Sequence, residues 1–115
     1  MIPASYNLTL YQGDEFSMTL RLRLADATLE NLTGKIATGQ VRALASDAAP
    51  MATFTCTVSN QVTNPGEIVI LLPVTESAKL LAGNGVFDIQ TANADGTGVN
   101  TRIGGKVVIR PQVTR

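Results

Sequence analysis

The sequence predicts an all-β fold, a two-sheet immunoglobulin-like β-sandwich of about seven strands with one short helix. Three observations lead to this fold class. Several short segments alternate between apolar and polar residues, which is typical of strands with one buried and one solvated face. Thr and Val are plentiful whereas Trp is missing, and Gly or Pro separates the segments. Short alternating strands at this spacing are typical of sandwich folds.

The clearest strand spans residues 16–24, and we expect the later segments to cover its apolar face. Its apolar residues alternate without interruption with polar residues, two of which are arginines. On a helix the same residues would place both arginines within the apolar surface. The preceding segment, residues 5–10, is predicted as a strand with Tyr6, Leu8 and Leu10 on one face.

Two further strands are predicted after a polar connection that contains Leu29 and Leu32. Residues 35–44 form the weaker one, and its small residues favour a twisted edge strand over close approach of another segment. Residues 51–59 alternate cleanly, and the residues expected to point inward are Ala52, Phe54, Cys56 and Val58. Asn64-Pro65-Gly66 is a turn signal that ends this part of the chain.

The C-terminal half supplies three more strands and the only helical segment. Residues 67–72 are apolar on both faces, which predicts either a central strand or a face that meets a partner. Residues 73–81 are predicted as a helix with Thr75 as N-cap and with Leu80 and Leu81 packed on the sheets. Residues 86–92 and 102–110 form a hairpin around Asp95-Gly96, and Pro111 ends its ladder.

One core is expected for the single domain of residues 1–115, because this length buries roughly two-thirds of the unfolded surface. A small barrel is the alternative to the sandwich. The predicted core consists of large apolar residues on the inward faces: Phe16, Met18, Leu20, Leu22, Phe54, Val58, Ile68, Ile70, Phe87, Ile89, Val107 and Ile109.

Composition excludes several classes of function. Nine basic residues balance nine acidic ones, so there is no electrostatic argument for binding nucleic acid or a membrane surface. One cysteine cannot form an internal disulfide, and without histidine the usual zinc sites are absent. No apolar run is long enough to span a bilayer. Residues 1–5 lack the features of a secretory signal, so we expect an intracellular product.

No catalytic residue, cofactor site or metal site is predicted. Cys56 is in phase with Phe54 and Val58 and has no histidine to activate it, so we interpret it as a buried thiol. The acidic pairs Asp14-Glu15 and Asp88 with Asp95 are explained by turn chemistry rather than by acid–base catalysis or calcium binding.

The glycine and arginine motifs also have structural explanations. Gly83-Asn84-Gly85 and Gly104-Gly105 are not phosphate loops, since no helix that starts with a lysine follows them. Arg21, Arg23 and Arg42 are interpreted as part of a solvated sheet face rather than a basic patch. Asp88 is expected to form an exposed pair across the hairpin with Arg102 or Lys106.

Four stretches in series resemble small immunoglobulin-like proteins of tailed bacteriophages, similar to the N-terminal domain of the phage baseplate upper protein. Their order and spacing carry the resemblance over nearly the whole chain: Tyr11-Gln12-Gly13-Asp14, Leu32-Thr33-Gly34, Val86-Phe87-Asp88-Ile89, and Gly105-Lys106-Val107-Val108-Ile109 running to Val113-Thr114-Arg115. The resemblance implies an attachment module that docks on a tail or baseplate. The sequence ends at Arg115 without a fibre-bearing segment, so we expect a stand-alone adaptor or decoration subunit.

The predicted function is therefore a non-enzymatic structural role in a bacteriophage virion, as a tail or baseplate adaptor assembled in the host cytoplasm. Its expected partners are other virion proteins and symmetry-related copies of itself. The expected partner contacts are Val69 and Leu71 on the doubly apolar strand, and Asn64 and Pro65 in the turn before it. A capsid decoration protein of the same fold is the alternative within this class. A host-surface carbohydrate-binding module is the alternative from another class, disfavoured because Tyr6 and Tyr11 are the only tyrosines and Trp is absent.

Overall fold

The computed structural model describes residues 4–24, 26, 28–43 and 50–111. In this part of the chain the protein is all-β, as predicted, with one short helix. Chain order gives β1 (Ala4–Ser5), β2 (Leu8–Tyr11), β3 (Phe16–Arg21), β4 (Lys35–Arg42), β5 (Ala52–Val58), β6 (Glu67–Leu72), α1 (Val74–Ser77), β7 (Gly83–Asn93) and β8 (Asn100–Arg110). The predicted first strand is thus divided into β1 and β2.

The strands form a mixed sheet whose order is β1-β8-β7-β4-β5-β6-β3, with β2 also paired to β8. β1 and β2 run parallel to β8, and the other pairs are antiparallel. β5 connects the two parts of the sheet. Its residues 52–54 pair with β4, and its residues 55–58 pair with β6. A single strand therefore belongs to two ladders along its length.

The strand predicted to organise the fold lies at the end of this order. β3 pairs with β6 alone among the described strands and ends at Arg21, three residues before the predicted limit. Phe16, Met18 and Leu20 are only half-buried, because the sheet does not continue beyond β3. Leu24 is exposed, and Arg23 forms an isolated bridge with Leu29. The alternation was read correctly, but the later segments cover the apolar face of this strand only in part.

The core is centred on β5–β8 rather than on β3. Seven of the predicted core residues are buried: Phe54, Ile68, Ile70, Phe87, Ile89, Val107 and Ile109. Phe16, Met18, Leu20, Leu22 and Val58 only pack against that cluster from its periphery. The buried hydrophobic residues that the predicted core did not include are Leu8, Leu10, Leu32, Val41, Ala52, Leu72, Leu80 and Ile103. Several of these lie in connections or at strand ends, where the two-residue period carries little information.

β4 is an interior strand between β7 and β5, so the predicted edge position is wrong. The close approach that was considered for its small residues is what the structure shows. A Cβ on Gly39 would overlap Cδ1 of Ile89 and would lie 3.1 Å from Cδ2 of Phe54. The predicted end of this strand, Leu44, lies outside the described residues.

The helix is shorter than predicted and has a different N-cap. It spans four residues, Val74–Ser77, and Pro73 occupies the N-cap position, so Thr75 does not cap it. Ser77 is buried and its hydroxyl donates to the Tyr11 carbonyl at 2.9 Å. Leu80 is buried as predicted, whereas Leu81 is exposed. So short a helix depends on these tertiary contacts.

The N-terminal strands differ from the prediction at Tyr6, which is exposed, whereas Leu8 and Leu10 are buried. The Tyr6 amide donates to the Gly104 carbonyl at 3.0 Å in the link between β1 and β2. A Cβ on Gly105 would overlap the Tyr6 carbonyl oxygen, so this glycine permits the close approach. The two glycines of β8 therefore have a packing role.

Both predicted turns are present. In the hairpin between β7 and β8, Gly96 has a φ of 88° and its amide donates to the Asn93 carbonyl at 2.9 Å. At the β5–β6 turn, Gly66 has a φ of 76° and the Glu67 amide donates to the Asn64 carbonyl at 3.3 Å. Gly at these positions adopts the left-handed backbone region at no steric cost.

Arg102 is buried, which corrects the expectation of an exposed pair with Asp88. Its guanidinium makes two hydrogen bonds to the Glu30 carboxylate, at 2.8 and 2.7 Å, and a third at 2.8 Å to the Thr91 hydroxyl. The Arg102 side chain is 7% exposed and that of Glu30 is 14% exposed. The pair attaches the connection between β3 and β4 to the β7–β8 hairpin. Bidentate geometry and the third hydrogen bond compensate for the desolvation of the two charges.

Removal of one partner of this ion pair is expected to destabilise the fold strongly. Glu30→Ala leaves a buried guanidinium without its carboxylate, and we expect it to lower the free energy of unfolding by about 3–5 kcal/mol. Arg21→Ala is the matched control, because the Arg21–Glu67 pair has an Arg21 side chain that is 58% exposed. That change is expected to cost at most about 1 kcal/mol. Urea titration of both variants measures the difference, and equal losses would contradict the prediction.

Gly66 and Gly34 provide a second matched comparison. Their φ angles are 76° and 77°, so alanine at either position adopts a backbone conformation that costs about 1–2 kcal/mol. A Cβ at Gly34 meets no atom within 4 Å, whereas at Gly66 it lies 2.5 Å from the Leu22 carbonyl oxygen. Gly66→Ala should therefore lower the free energy of unfolding by at least about 1 kcal/mol more than Gly34→Ala. Thermal or urea unfolding measures both losses. If the two variants lose the same free energy of unfolding, the expected overlap of a Cβ at position 66 with the Leu22 carbonyl oxygen is wrong.

Candidate functional site

The outward face of β3, β6 and β5 carries two of the predicted contact residues. Two rows cross the three strands: one contains Ser17, Leu71 and Thr55, and the other contains Thr19, Val69 and Thr57. Residues directly opposite in antiparallel strands point to the same side of the sheet. We call these six residues the threonine face. Its side chains are exposed except that of Leu71, which is half-buried.

The threonine face has no charged residue in its two rows, and it is bordered by charges. Arg21 and Glu67 form the next row and their ion pair measures 3.1 Å. At the other end, the helix packs against β5, where the Glu76 carboxylate accepts from the Thr53 amide at 2.9 Å. Lys79 and then this amide lower the pKa of Glu76. Val69 is 39% exposed at the centre of the face. An uncharged centre with a charged border is typical of protein–protein contact surfaces.

The loop of residues 60–66 joins β5 to β6 beside the Glu67 end of this face. The Gln61 side chain holds the loop: its oxygen accepts from the Leu32 and Gly66 amides, both at 2.8 Å, and its nitrogen donates to the Ser59 carbonyl at 2.8 Å. A cavity of about 380 Å³ lies between the loop and residues 32–35. Three hydrogen bonds from one side chain give the loop a defined conformation.

The structure places the other two predicted contact residues in this loop, next to a residue that sequence reasoning missed. Asn64 is exposed and Pro65 is half-buried. Val62 is 91% exposed, and the Asn60 carboxamide accepts from its amide at 2.9 Å. The sequence contained a signal for this residue, because Val62 is an apolar residue between Gln61 and Thr63 in a polar loop. The loop thus presents an apolar side chain on a fixed backbone.

A polar groove on β4, β7 and β8 was not predicted. It has a volume of about 640 Å³, and its lining residues are Asn7, Gln40, Arg42, Val86, Phe87, Asp88, Gly105 and Lys106. The register places Asp88 between Gln40 and Gly104, so glycine leaves space beside the carboxylate. Arg42 donates to the Gln40 side chain at 2.6 Å. Phe87 is buried, so it does not offer an exposed ring on which a sugar could stack. The signal for this groove was the Gly104-Gly105 pair, of which Gly104 lies opposite Asp88 of β7.

Cys56 is half-buried on β5, and burial raises the pKa of its thiol to about 11. The thiol is therefore protonated at neutral pH, whereas the reactive form of cysteine is the thiolate. The raised pKa disfavours the nucleophile alternative, but Cys56 is half-buried rather than buried as interpreted from the sequence.

Asp88 and Asp95 are not brought together as a carboxylate pair. Asp95 lies in the hairpin turn, where its carboxylate accepts from the Thr97 hydroxyl at 2.6 Å and from the Thr97 amide at 3.0 Å. These bonds lower the pKa of Asp95. Asp88 lies within β7, and the strand from Asp88 to Asn93 alone spans roughly 16 Å. The residues that the structure describes contain no cluster of three or more potential metal ligands.

Arg42 lies apart from Arg21 in the sheet, whereas Arg23 is two residues beyond Arg21 in the chain. Arg21 is on β3 and Arg42 is on β4, and the strand order places β5 and β6 between these strands. Arg21 is paired with Glu67. The interpretation as parts of solvated sheet surfaces is thus in accord with the positions of Arg21 and Arg42.

Within the described residues, no helix has the length and apolar character needed to cross a membrane.

Among known proteins, solved structures of low sequence identity are similar to this chain. No protein-family model and no curated protein matches it. Among solved structures it is similar to CopC from Methylosinus trichosporium OB3b, with 14% identity, a TM-score of 0.46, and coverage of 97% of this chain and 89% of that chain. It is also similar to the cysteine protease inhibitor EhICP2 from Entamoeba histolytica, with 16% identity, a TM-score of 0.47, and coverage of 93% and 88%.

The state of Cys56 can be measured directly. A rise in pKa from 9.0 to about 11 lowers the thiolate fraction roughly a hundredfold below pH 9, so a thiol reagent at pH 8 should label the folded protein about a hundred times more slowly than the unfolded chain. The unfolded chain also ionises first as the pH rises, so folding stability should decline from pH 9 to 11. In the Cys56→Ala variant, the part of the decline in folding stability that comes from the thiol should be absent. Equal labelling rates for the folded protein in buffer and the unfolded chain in urea would contradict this prediction.

Proposed function

We propose that this protein is a non-enzymatic structural subunit of a bacteriophage virion, an adaptor on the tail or baseplate that acts through protein–protein contacts. Capsid decoration is the alternative location in the same class. The observation that carries the proposal is the threonine face, with exposed Val69 at its centre. Its partner is a neighbouring virion subunit with a flat, uncharged surface.

The composition of the threonine face supports a contact role. β6 is flanked by β5 and β3, and Ile68, Ile70 and Leu72 on its inward side are buried. Burial of that side does not require apolar residues at Val69 and Leu71, which point outward. The serine and threonine side chains around them are short and hold no charge that would have to be desolvated on contact. A planar partner surface can therefore approach the strands closely.

The loop of residues 60–66 supplies a second contact element. Gln61 fixes its backbone through three hydrogen bonds, so little conformational entropy is lost when Val62 is buried by a partner. Asn64 and Pro65 lie in the same loop. The contact surface of the proposed adaptor thus combines a flat strand face with one projecting apolar side chain.

The proposed fold is the two-sheet immunoglobulin-like arrangement of the phage proteins that the sequence resembles. The division of β5 supports it, because residues 52–54 pair with β4 and residues 55–58 pair with β6. In this arrangement, β4, β7, β8, β1 and β2 belong to one sheet, and β6 and β3 belong to the other. A strand that changes sheets is a known way to make a corner between packed sheets.

Incorporation into particles tests the function. Val69→Asp places a charge at the centre of the threonine face, and we expect at least about a tenfold drop in the amount found in purified phage particles by quantitative mass spectrometry. Val108→Asp is the matched control, because Val108 is also an outward residue on a strand and is also 39% exposed. This control should be incorporated at the wild-type level.

Two outcomes would contradict the proposal. The first is the absence of the wild-type chain from purified particles. The second is equal incorporation of the Val69→Asp and Val108→Asp variants, which would exclude the threonine face as the contact surface. The circular dichroism spectra of both variants should match that of the wild type, which checks that neither substitution unfolds the protein.

A further inference from the structure

β3 presents a free edge on the side away from β6. The Leu22 amide donates to the Gly66 carbonyl at 2.8 Å, which continues the register that pairs Phe16 with Leu72 and Arg21 with Glu67. In an antiparallel ladder, alternate residues direct both backbone groups to the same neighbour. The even-numbered residues of β3 therefore bond to β6. Ser17, Thr19 and Arg21 direct their N–H and C=O groups toward the open side.

Among the described residues, this edge lacks a bulge, a proline and a lysine, and its one charged residue is Arg21 at the end of β3. The pairing of β3 with β6 runs without a register shift through all six residues, so no bulge twists the edge away. β3 contains no proline and no lysine. Phe16, Met18 and Leu20 extend from the core toward the edge and remain half-buried. A regular edge strand with apolar side chains beside it is a template for pairing with another strand.

We propose that two copies of this chain pair through β3, antiparallel, about a twofold axis at Met18. The free backbone groups belong to odd-numbered residues, so the hydrogen-bonded pairs must join odd residues of one copy to odd residues of the other. With the axis at Met18, Ser17 lies opposite Thr19 of the second copy. Glu15 lies opposite Arg21 of the second copy.

Charge complementarity favours a second copy as the occupant. Glu15 is exposed and directly precedes β3, and Arg21 is its last residue. The twofold axis repeats the contact, so each copy gives one carboxylate and receives one guanidinium. Arg21 also holds Glu67 of its own chain, and its five donors allow it to bind both carboxylates. A partner strand without this charge pattern would leave Glu15 without a complementary charge, and Arg21 with that of Glu67 alone.

The apolar residues are self-complementary in the same register. Met18 meets Met18 of the second copy, and Phe16 meets Leu20. These contacts cover the parts of Phe16, Met18 and Leu20 that stay exposed in a single copy, where the sheet ends at β3. On the opposite side, the two threonine faces join into one continuous surface. Isologous pairing of this kind closes after two copies and does not propagate into a fibre. This pairing does not depend on the proposed virion role, because it is expected of the isolated protein.

Sedimentation equilibrium of the purified chain up to about 1 mM tests the pairing. We expect a monomer–dimer equilibrium that weakens with added salt. Glu15→Arg brings two arginines together and should raise the dissociation constant at least about tenfold, as should Arg21→Glu. The double variant exchanges the charges and should return the constant to within about threefold of wild type. Arg110→Glu, an exposed charge reversal on β8, is the control and should leave it unchanged.

Two further variants test the edge and its register. Thr19→Pro removes an amide donor on the open side without removing a bond to β6, and it should abolish the dimer while circular dichroism remains that of the folded protein. In a Cys56→Ala background, a mixture of Ser17→Cys and Thr19→Cys chains should form mainly the mixed disulfide. Hydrogen-bonded antiparallel pairs have Cα atoms about 5.5 Å apart, within disulfide range.

Three results would overturn the proposal. A wild-type chain that stays monomeric at every concentration excludes self-pairing, even if the edge binds another protein. A dimer that survives both Thr19→Pro and the single charge reversals uses another surface. Disulfides between two Thr19→Cys chains in preference to the mixed product place the twofold axis at Thr19 and refute the register.

Discussion

The fold depends on the shared hydrogen bonding of β5. Its residues 52–54 complete the ladder to β4, and its residues 55–58 begin the ladder to β6. No other strand among the described residues joins β6 and β3 to the rest of the sheet. An interior strand can pair with two neighbours at the same residues, one on each side, as β4 does at residues 39–41. In β5 the two pairings instead follow one another along the strand. The position of the β3 edge and of the threonine face follows from this change.

A second link between the two parts of the structure is made by a buried ion pair. Arg102 on β8 binds Glu30 in the connection after β3, 72 residues away along the chain. Glu30 also donates its amide to the Leu22 carbonyl, and Leu22 in turn donates to the Gly66 carbonyl. The same connection therefore fixes the end of β3 and the start of β6. A buried pair of charges gives little net stability, but its directional hydrogen bonds specify where this long connection lies.

The two proposals use different parts of the same three strands. β3, β6 and β5 direct their apolar side chains toward the core and leave one face and one edge without a partner in the described structure. The face offers uncharged, mostly β-branched side chains that a flat partner can cover. The edge offers backbone groups and two opposite charges that a second copy can satisfy. The polar groove lies on β4, β7 and β8, so it does not overlap either surface.

The sequence by itself determined most of the strands and the two glycine turns, because alternation and turn chemistry are local properties. It also placed Val69 and Leu71 on one strand face. Only the tertiary structure decided that β3 is an edge, that β4 is interior and that Arg102 is buried. Val62, Leu32 and the polar groove were missed for the same reason. Strand order and burial depend on contacts between residues far apart in the chain, and the two-residue period is the same for an edge strand and a central one.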